Sequence, residues 1–267
     1  FDVPINNASF IFFSPRIRKS WPDARNHIVS KFQDVIKHVS KDSSIIYTVP
    51  AGFGVNNENI TLIEHRTGLS VDKNIFYHYM PISSISSNLF DAIIGTRTEL
   101  NSNFVSMLSG LYSDKTMEIV DIESAEYIYC IRILRHYGLM SPIFEICKFA
   151  DNNFQHQNTE TESFDEIYLD DLVGGLFDLN TILSSLTGIS PLTLLLKGNI
   201  ATVENYIKHL TEQIKIILKK YELKASKTKA IISWTCDPNE MRGDRLEIIS
   251  RLESRLKDYV GDVERLD

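Results

Sequence analysis

The stretch IIYTVPAGFGVNN, residues 45–57, carries the clearest structural signal in this chain. It begins with a continuous apolar run, which indicates a buried strand, and then passes through a loop with two glycines, Gly52 and Gly54. A helical pattern follows and is stopped by Gly68. A strand, a loop of small residues and a helix form the layout of a phosphate-binding site, because N–H groups at a helix N-terminus attract anions. A plain strand-to-helix turn has the same layout, so the loop alone leaves both interpretations open.

The composition bounds the class of protein. The chain has 267 residues, of which 43% are apolar, so it can bury a sizeable core in one large domain or two small ones. Its net charge of −7 argues against a general nucleic-acid binder, whose affinity depends on neutralising phosphates. No apolar run reaches the roughly 20 residues that span a bilayer, and no signal peptide opens the sequence. Three cysteines that lie far apart indicate buried thiols in a reducing compartment. We therefore expect a cytoplasmic protein without membrane insertion.

Segments with strand character alternate with segments of helical period. Strands are predicted at residues 8–14, 44–49, 74–81 and 117–122, and helices at 22–39, 57–68, 89–111, 123–137 and 141–150. A polar loop at 151–163, a long helix at 165–186, an amphipathic helix at 200–221 and paired strands at 230–236 and 245–250 complete the chain. This order predicts an α/β protein of the Rossmann type, with a mostly parallel sheet and helices on both faces.

A smaller α+β domain is predicted to follow the sheet. The predicted bounds are 1–162 for the first domain, 163–188 for a central linking helix and 189–267 for the second domain. Ligands of such folds bind at the carboxyl ends of parallel strands, which is where the glycine loop lies.

Carboxylates follow two of the predicted elements. Asp121 and Glu123 come after the strand at 117–122, where they could hold a ribose hydroxyl or cap the next helix. Asp170 opens the sequence DDLVGG, where its carboxylate could accept two hydrogen bonds from a guanine edge or face solvent. The histidines show no metal spacing and no nucleophile elbow is present, so neither metal nor nucleophilic catalysis is predicted.

Taken in order, these segments resemble landmarks of the tubulin/FtsZ superfamily of GTP-dependent filament proteins. The loop AGFGVNN takes the place of the family's glycine-rich signature, and DIESA at 121–125 is similar to the tubulin D-N-E-A segment. DDLVG at 170–174 resembles the start of the central helix, GNIATVE at 198–204 the synergy loop, and CDPNEMRGD at 236–244 the FtsZ hairpin. The chain departs from the family in its reduced glycine signature and in Ala201, which replaces the first acid of the synergy loop.

The resemblance implies a protein that binds a guanine nucleotide and assembles head to tail into filaments. By this resemblance, Gly52, Gly54 and Asn56 would bind the phosphates of GTP or GDP, with Mg²⁺ as companion ion. Asp121 and Glu123 would bind the ribose, and Asp170 would bind the base. Glu204 would be the remaining catalytic group, reaching across a subunit interface. With Ala201 in place of an acid, GTP hydrolysis is expected to be weak or absent.

Two alternatives remain open. A non-enzymatic scaffold with this fold would bind no nucleotide and would use the amphipathic helix at 200–221 to bind a protein partner. An α/β ligand-sensing domain outside the family would leave Glu204 on an ordinary helix face and residues 237–238 in an ordinary turn.

Overall fold

The computed structural model describes residues 8–82, 92–100, 102–111, 117–153, 169–234 and 243–266. Within these ranges a five-stranded sheet forms the centre of the first part, and its strands follow one another in chain order. They are β1 (Phe10–Phe13), β2 (Ser44–Tyr47), β3 (Phe76–Tyr79), β4 (Ala92–Gly95) and β5 (Met117–Val120). The first three strands are parallel, β4 is antiparallel to β3, and β5 is parallel to β4. The prediction of a mostly parallel sheet is confirmed, with one reversal of direction within it.

Helices cover both faces of this sheet, as predicted. On β2, Ile45 and Tyr47 face a core that also contains residues of α1 (Asp23–Ile36) and α2 (Val55–Thr67). Ile46 points the other way, into a smaller core beneath α3 (Ser102–Leu111). Successive residues of a strand point to opposite faces, and a continuous apolar run therefore marks a strand that is buried on both sides.

A helical part follows the sheet. Its helices are α4 (Ile122–Asn153), α5 (Leu169–Gly174), α6 (Leu176–Ser185) and α7 (Pro191–Lys220). The start of α7 is well specified, because Ser190 and Thr193 form a capping box and Pro191 occupies the first helical position. The four helices share a second core, in which α4 and α7 pack against each other. This core joins the helical part to the sheet through α4.

The last described residues form a βαβ unit. β6 (Lys229–Ser233) and β7 (Asp262–Leu266) are parallel, and α8 (Asp244–Lys257) precedes β7. Parallel neighbours need a crossover connection, which the stretch containing α8 supplies. The predicted strand at 245–250 is therefore wrong, because its apolar residues continue with helical spacing through Ile248, Leu252 and Leu256.

Three other predicted elements differ from the structure. The helix predicted at 89–111 contains β4 before α3 begins. The two helices predicted at 123–137 and 141–150 are one helix that continues through Pro142. The long helix predicted at 165–186 is divided at Gly175, where the ring of Tyr137 occupies the space that a Cβ atom would need. The predicted domain bounds stay a prediction. None of the described helices combines the length and the apolar content that a membrane span requires.

Candidate functional site

The loop between β2 and α2, residues 48–54, is the predicted phosphate site. At its start the Thr48 hydroxyl donates to the Phe13 carbonyl at 2.9 Å. At its end Gly54 begins α2 with a φ of 78°, in the left-handed region. Residues with a Cβ atom adopt this conformation at a cost of about 1–2 kcal/mol, so backbone geometry favours glycine here. The predicted layout is present, and its role depends on what its N–H groups bond.

A carboxylate of the chain itself occupies the N-terminus of α2. Glu126 of α4 is only 3% exposed. Its Oε2 accepts from the Gly54 N–H at 2.8 Å, and its Oε1 accepts from the Asn56 N–H at 3.1 Å and from Asn56 Nδ2 at 2.7 Å. An anion at a helix N-terminus binds through such N–H groups. Glu126 therefore fills the position that the sequence analysis assigned to a nucleotide phosphate.

Other N–H groups of the loop are also bonded within the chain. The Ala51 N–H donates to the Tyr79 hydroxyl at 3.0 Å, and the Phe53 N–H donates to Ser185 Oγ at 3.0 Å. Burial raises the pKa of Tyr79 well above its ordinary value, so its hydroxyl stays neutral. The loop is thus tied to β3 on one side and to α6 on the other.

Close packing by itself requires a glycine at position 52. A Cβ atom at this position would lie 2.4 Å from Ser185 Oγ and 2.7 Å from the Thr181 carbonyl oxygen. Atoms cannot approach so closely, and a larger residue would push α6 away from the loop. The two glycines therefore have separate structural causes, close packing at Gly52 and a left-handed backbone at Gly54.

Asn56 is the centre of a buried network. Its Oδ1 accepts from the Tyr77 hydroxyl at 2.7 Å, and that hydroxyl accepts from Asn59 Nδ2 at 3.1 Å. Together with Glu126, these contacts use the amide oxygen and the amide nitrogen of Asn56. The residue predicted to meet phosphate instead joins α2 to β3 and α4.

Asp121 and Glu123 make contacts at the start of α4. Asp121 accepts from the N–H and from the hydroxyl of Ser124, both at 2.7 Å, and these bonds, the hydroxyl first, lower the pKa of Asp121. Glu123 accepts from Asn57 Nδ2 at 3.0 Å, which lowers the pKa of Glu123. The capping interpretation therefore describes Asp121, and Glu123 links α4 to α2.

The segments predicted to read the base and to form a hairpin fall only partly within the described residues. Asp170 lies in the first turn of α5, and its side chain is outside the described residues. The hairpin resemblance at 236–244 falls almost entirely on residues 235–242, which are also outside them. The segment 198–204, compared with a synergy loop, lies within the continuous helix α7.

Glu204 forms ion pairs within its own chain. Its Oε2 lies 3.4 Å from Arg251 Nη1, and its Oε1 contacts the Arg255 guanidinium. Arg251 also pairs with Glu247 one helical turn before it. Two arginines of α8 therefore hold Glu204 within its own chain, and its predicted catalytic role stays a prediction.

These ion pairs border a cleft of about 310 Å³, which we call the edge cleft. The connection that follows the carboxyl end of β1 forms one wall, and helices α6, α7 and α8 form the others. Its polar and aromatic lining consists of Ser20, Trp21, Asn180, Glu204, Asp244, Glu247 and Arg251. This position agrees with the rule that α/β folds bind ligands beyond the carboxyl ends of their strands.

The edge cleft combines a flat aromatic ring with three carboxylates and one guanidinium. Trp21 is partly buried and packs edge-on against Phe177, with ring centroids 5.7 Å apart. Three carboxylates line the cleft against one guanidinium. Carboxylates accept hydrogen bonds from hydroxyls, whereas the guanidinium offers a fork of N–H donors to a phosphate or carboxylate. A ligand with a ring, several hydroxyls and one anionic group matches this set.

Sequence reasoning missed Glu126, Trp21 and Arg251. Glu126 had a detectable signal, because it stands on the same helical stripe as the buried residues Ile122 and Ile133. A carboxylate on an apolar stripe needs a partner. Trp21 and Arg251 had none, since they are far apart in the chain and only the fold brings them together. Among the described residues, no group of three or more metal-ligating side chains is assembled.

No family model and no curated protein sequence matches this chain. Solved structures do match, and several of them are sugar-nucleotide dehydrogenases. A UDP-D-ManNAc dehydrogenase from Pyrococcus horikoshii has a TM-score of 0.56 at 12% identity, covering 89% of this chain and 60% of that one. A UDP-N-acetyl-mannosamine dehydrogenase from Staphylococcus aureus has a TM-score of 0.57 at 11% identity, covering 97% and 64%. A UDP-glucose dehydrogenase from Pyrobaculum islandicum has a TM-score of 0.51 at 12% identity, covering 97% and 63%.

The comparison establishes a Rossmann-type α/β fold. The chain spans 60–64% of the length of these three neighbours. The predicted membership of the tubulin/FtsZ superfamily is wrong, and so are the predicted filament assembly and the predicted binding of GTP or GDP. In the same chain, the N–H groups of Gly54 and Asn56 bond to Glu126, and Glu204 bonds to two arginines of α8.

Proposed function

We propose that the protein is of the sugar-nucleotide dehydrogenase type and binds a sugar nucleotide in the edge cleft. The observation that carries the proposal is the lining of that cleft, in which an indole, three carboxylates and a guanidinium converge beyond the carboxyl end of β1. The names of the similar solved structures support the ligand class. Their fold extends over the sheet and the helical part of this chain alike.

Most of the residues that line the cleft suit contact with a sugar ring. A hexose presents apolar C–H groups on its face and hydroxyls around its rim. Trp21 supplies a flat surface for the face, and Glu204, Asp244 and Glu247 supply acceptors for the hydroxyls. The volume lies at the low end of the range of small-molecule sites, about 300–1,000 Å³. The cleft therefore suits one ring system with its first substituent.

Arg251 is the group that would meet a phosphate of the ligand. Its guanidinium is half exposed and now bonds Glu204 and Glu247. Glu204 has a second partner in Arg255, so it can release Arg251 without losing all charge compensation. An arginine recognises phosphate through two parallel N–H bonds, which gives the interaction both strength and direction.

Dehydrogenases of this type require a nicotinamide dinucleotide as the second ligand, because it accepts the hydride. The described residues do not fit its pyrophosphate. The α2 N-terminus is filled by Glu126, and the connection from β1 to α1 contains no glycine and leads into a first turn with Asp23. We therefore derive no hydride-transfer step from this chain. A cytoplasmic location and a protein partner or self-association stay predictions.

The test is calorimetric titration of the full chain with UDP-glucose and UDP-N-acetyl-mannosamine, with glucose and UDP as partial ligands. We expect the intact sugar nucleotides to bind more tightly than either part. Trp21→Ala and Arg251→Met should each weaken binding by about tenfold, which corresponds to a loss of about 1.4 kcal/mol. The matched control is Arg265→Met, since Arg265 also pairs with a glutamate of α8, Glu253, but does not line the cleft.

Two results would overturn the proposal. One is the absence of binding of either sugar nucleotide at millimolar concentration. The other is binding that Arg251→Met and Arg265→Met leave equally unchanged. Adding NAD⁺ to the bound complex and following NADH absorbance then separates recognition from turnover.

A further inference from the structure

We infer that the N-terminus of α2 is an anion site closed by the chain's own carboxylate, Glu126, and that it therefore excludes the phosphates of dinucleotides and sugar nucleotides. This inference does not depend on the proposed function. It concerns the one glycine loop of the described residues that has a nucleotide-binding layout, and it marks where this chain disagrees with a dehydrogenase of its fold class.

The hydrogen bonds leave no vacancy for a phosphate. Both oxygens of Glu126 are engaged, by the Gly54 N–H at 2.8 Å and by two groups of Asn56 at 3.1 and 2.7 Å. A phosphate could reach these donors only by displacing Glu126. The displaced carboxylate would remain buried without its donors, and a buried charge that loses its partners is strongly unfavourable.

The position of Glu126 is also fixed by packing. The first turns of α4 lie directly on β4, where a Cβ atom at Gly95 would be 2.7 Å from the Ala125 Cβ. On the opposite side of the loop, Ser185 of α6 lies within hydrogen-bonding distance of the Phe53 N–H. Neither helix can move away from the loop without losing these contacts. The loop is therefore held in its ordered form by the protein itself, with no need of a ligand.

Thermal unfolding in phosphate tests this inference. Wild type, Glu126→Ala, Glu126→Gln and Glu123→Ala are melted in sodium phosphate and in sodium chloride of equal ionic strength. Phosphate strengthens apolar burial in every protein, so the measured quantity is the difference between variant and wild type. Glu123→Ala is the matched control, because Glu123 lies on the same helix but is exposed.

We expect wild type and Glu123→Ala to respond equally to phosphate. Glu126→Ala should have a lower Tm and should regain about 2–4 °C more in phosphate than wild type does, which is the shift that about 1 kcal/mol produces in a chain of this size. Glu126→Gln keeps an acceptor oxygen without the charge, so its Tm and its response to phosphate should lie between those of wild type and Glu126→Ala. If Glu126→Ala does not fold, the comparison is made with Glu126→Gln.

A second arm uses wild type alone. NADH is titrated and amide hydrogen exchange is followed at residues 51–57. We expect no protection of this segment. Protection by NADH, or a phosphate response in wild type equal to that of Glu126→Ala, would show that the site is open and would overturn the inference.

Discussion

The loop at residues 48–54 and the edge cleft both lie at carboxyl ends of parallel strands and both contain polar groups paired within the chain, but these groups differ in their exposure to solvent. In the loop, several backbone N–H groups bond to side chains of the chain itself, and the acceptor Glu126 is only 3% exposed. In the edge cleft, carboxylates and a guanidinium face an open volume of about 310 Å³. A glycine loop indicates a ligand only where its N–H groups are unoccupied. We therefore propose the cleft, and not the loop, as the place where a ligand binds.

Among the variants that test this difference, the removal of the Glu126 carboxylate should have the largest effect on stability. Glu126→Ala leaves two backbone N–H groups and a buried amide without their acceptor, and we expect a loss of about 3–5 kcal/mol of unfolding free energy. Glu123→Ala should change stability by no more than about 0.5 kcal/mol. Urea denaturation at neutral pH measures both. Equal losses in the two variants would mean that Glu126 is not the anion on which the loop depends.

The pH dependence of stability separates the buried polar interior from the exposed cleft. Burial lowers the pKa of His78 to about 4, from an ordinary value near 6.5, and its Nδ1 lies 3.1 Å from Thr96 Oγ1. Between these pH values the unfolded chain binds a proton that the folded chain does not bind, so stability falls as the pH is lowered from 6.5 to 4. The loss from this residue amounts to about 3 kcal/mol.

His78→Phe should flatten this pH profile, because phenylalanine keeps the stack on Phe104 but does not titrate. His65→Asn is the control, since His65 is exposed on the surface of α2. Unfolding free energies measured at several pH values between 4 and 7 give the two slopes. A His78→Phe profile as steep as that of wild type would assign the pH dependence to other groups.

Gly52→Ala should destabilise the protein by about 1–3 kcal/mol, because the new methyl group overlaps Ser185 Oγ and the Thr181 carbonyl. Gly138→Ala provides the contrast. Gly138 lies inside α4 with open space around it, so alanine should stabilise the helix by about 0.5–1 kcal/mol. Opposite signs in denaturant titrations would confirm that close packing, and not a ligand, requires Gly52. A neutral Gly52→Ala would contradict it.

The smallest effect on stability is expected in the edge cleft. Arg251 is half exposed and its ion pairs are partly solvated, so Arg251→Met should change the unfolding free energy by no more than about 1 kcal/mol. The same variant should weaken sugar-nucleotide binding about tenfold. A large stability loss with unchanged binding would reverse the roles that we assign to the two regions.

The sequence predicted β1, β2, β3 and β5 because the signal of a strand is local, but it missed β4, which lies within the segment predicted as a helix at 89–111. Continuous apolar runs at β2 and β3 mark strands buried on both faces, and the strand–loop–helix at 45–67 is present as predicted. Residues 245–250 were predicted as a strand but belong to helix α8. The prediction failed because a window of six residues is too short to separate a period of 2 from a period of 3.6.

The site could not be predicted in the same way. The identity of the loop's anion depends on Glu126, some 70 residues away, and the edge cleft joins Trp21 to Arg251 across most of the chain. The short motifs of this chain follow one another in the same order as the landmarks of the tubulin/FtsZ superfamily, but a shared order does not specify which groups are in contact. Motif order alone carries no information on whether an N–H group is free to bind a ligand, and this is the property that distinguishes the two regions.

Hydrogen–deuterium exchange of the full chain with and without UDP-glucose is the most direct test of where the ligand binds. One experiment reports on both regions, through peptides that cover residues 18–24 and 244–251 for the cleft and residues 51–57 for the loop. We expect protection of the two cleft segments and no change in the loop. Protection confined to residues 51–57 would contradict the assignment of ligand binding to the edge cleft.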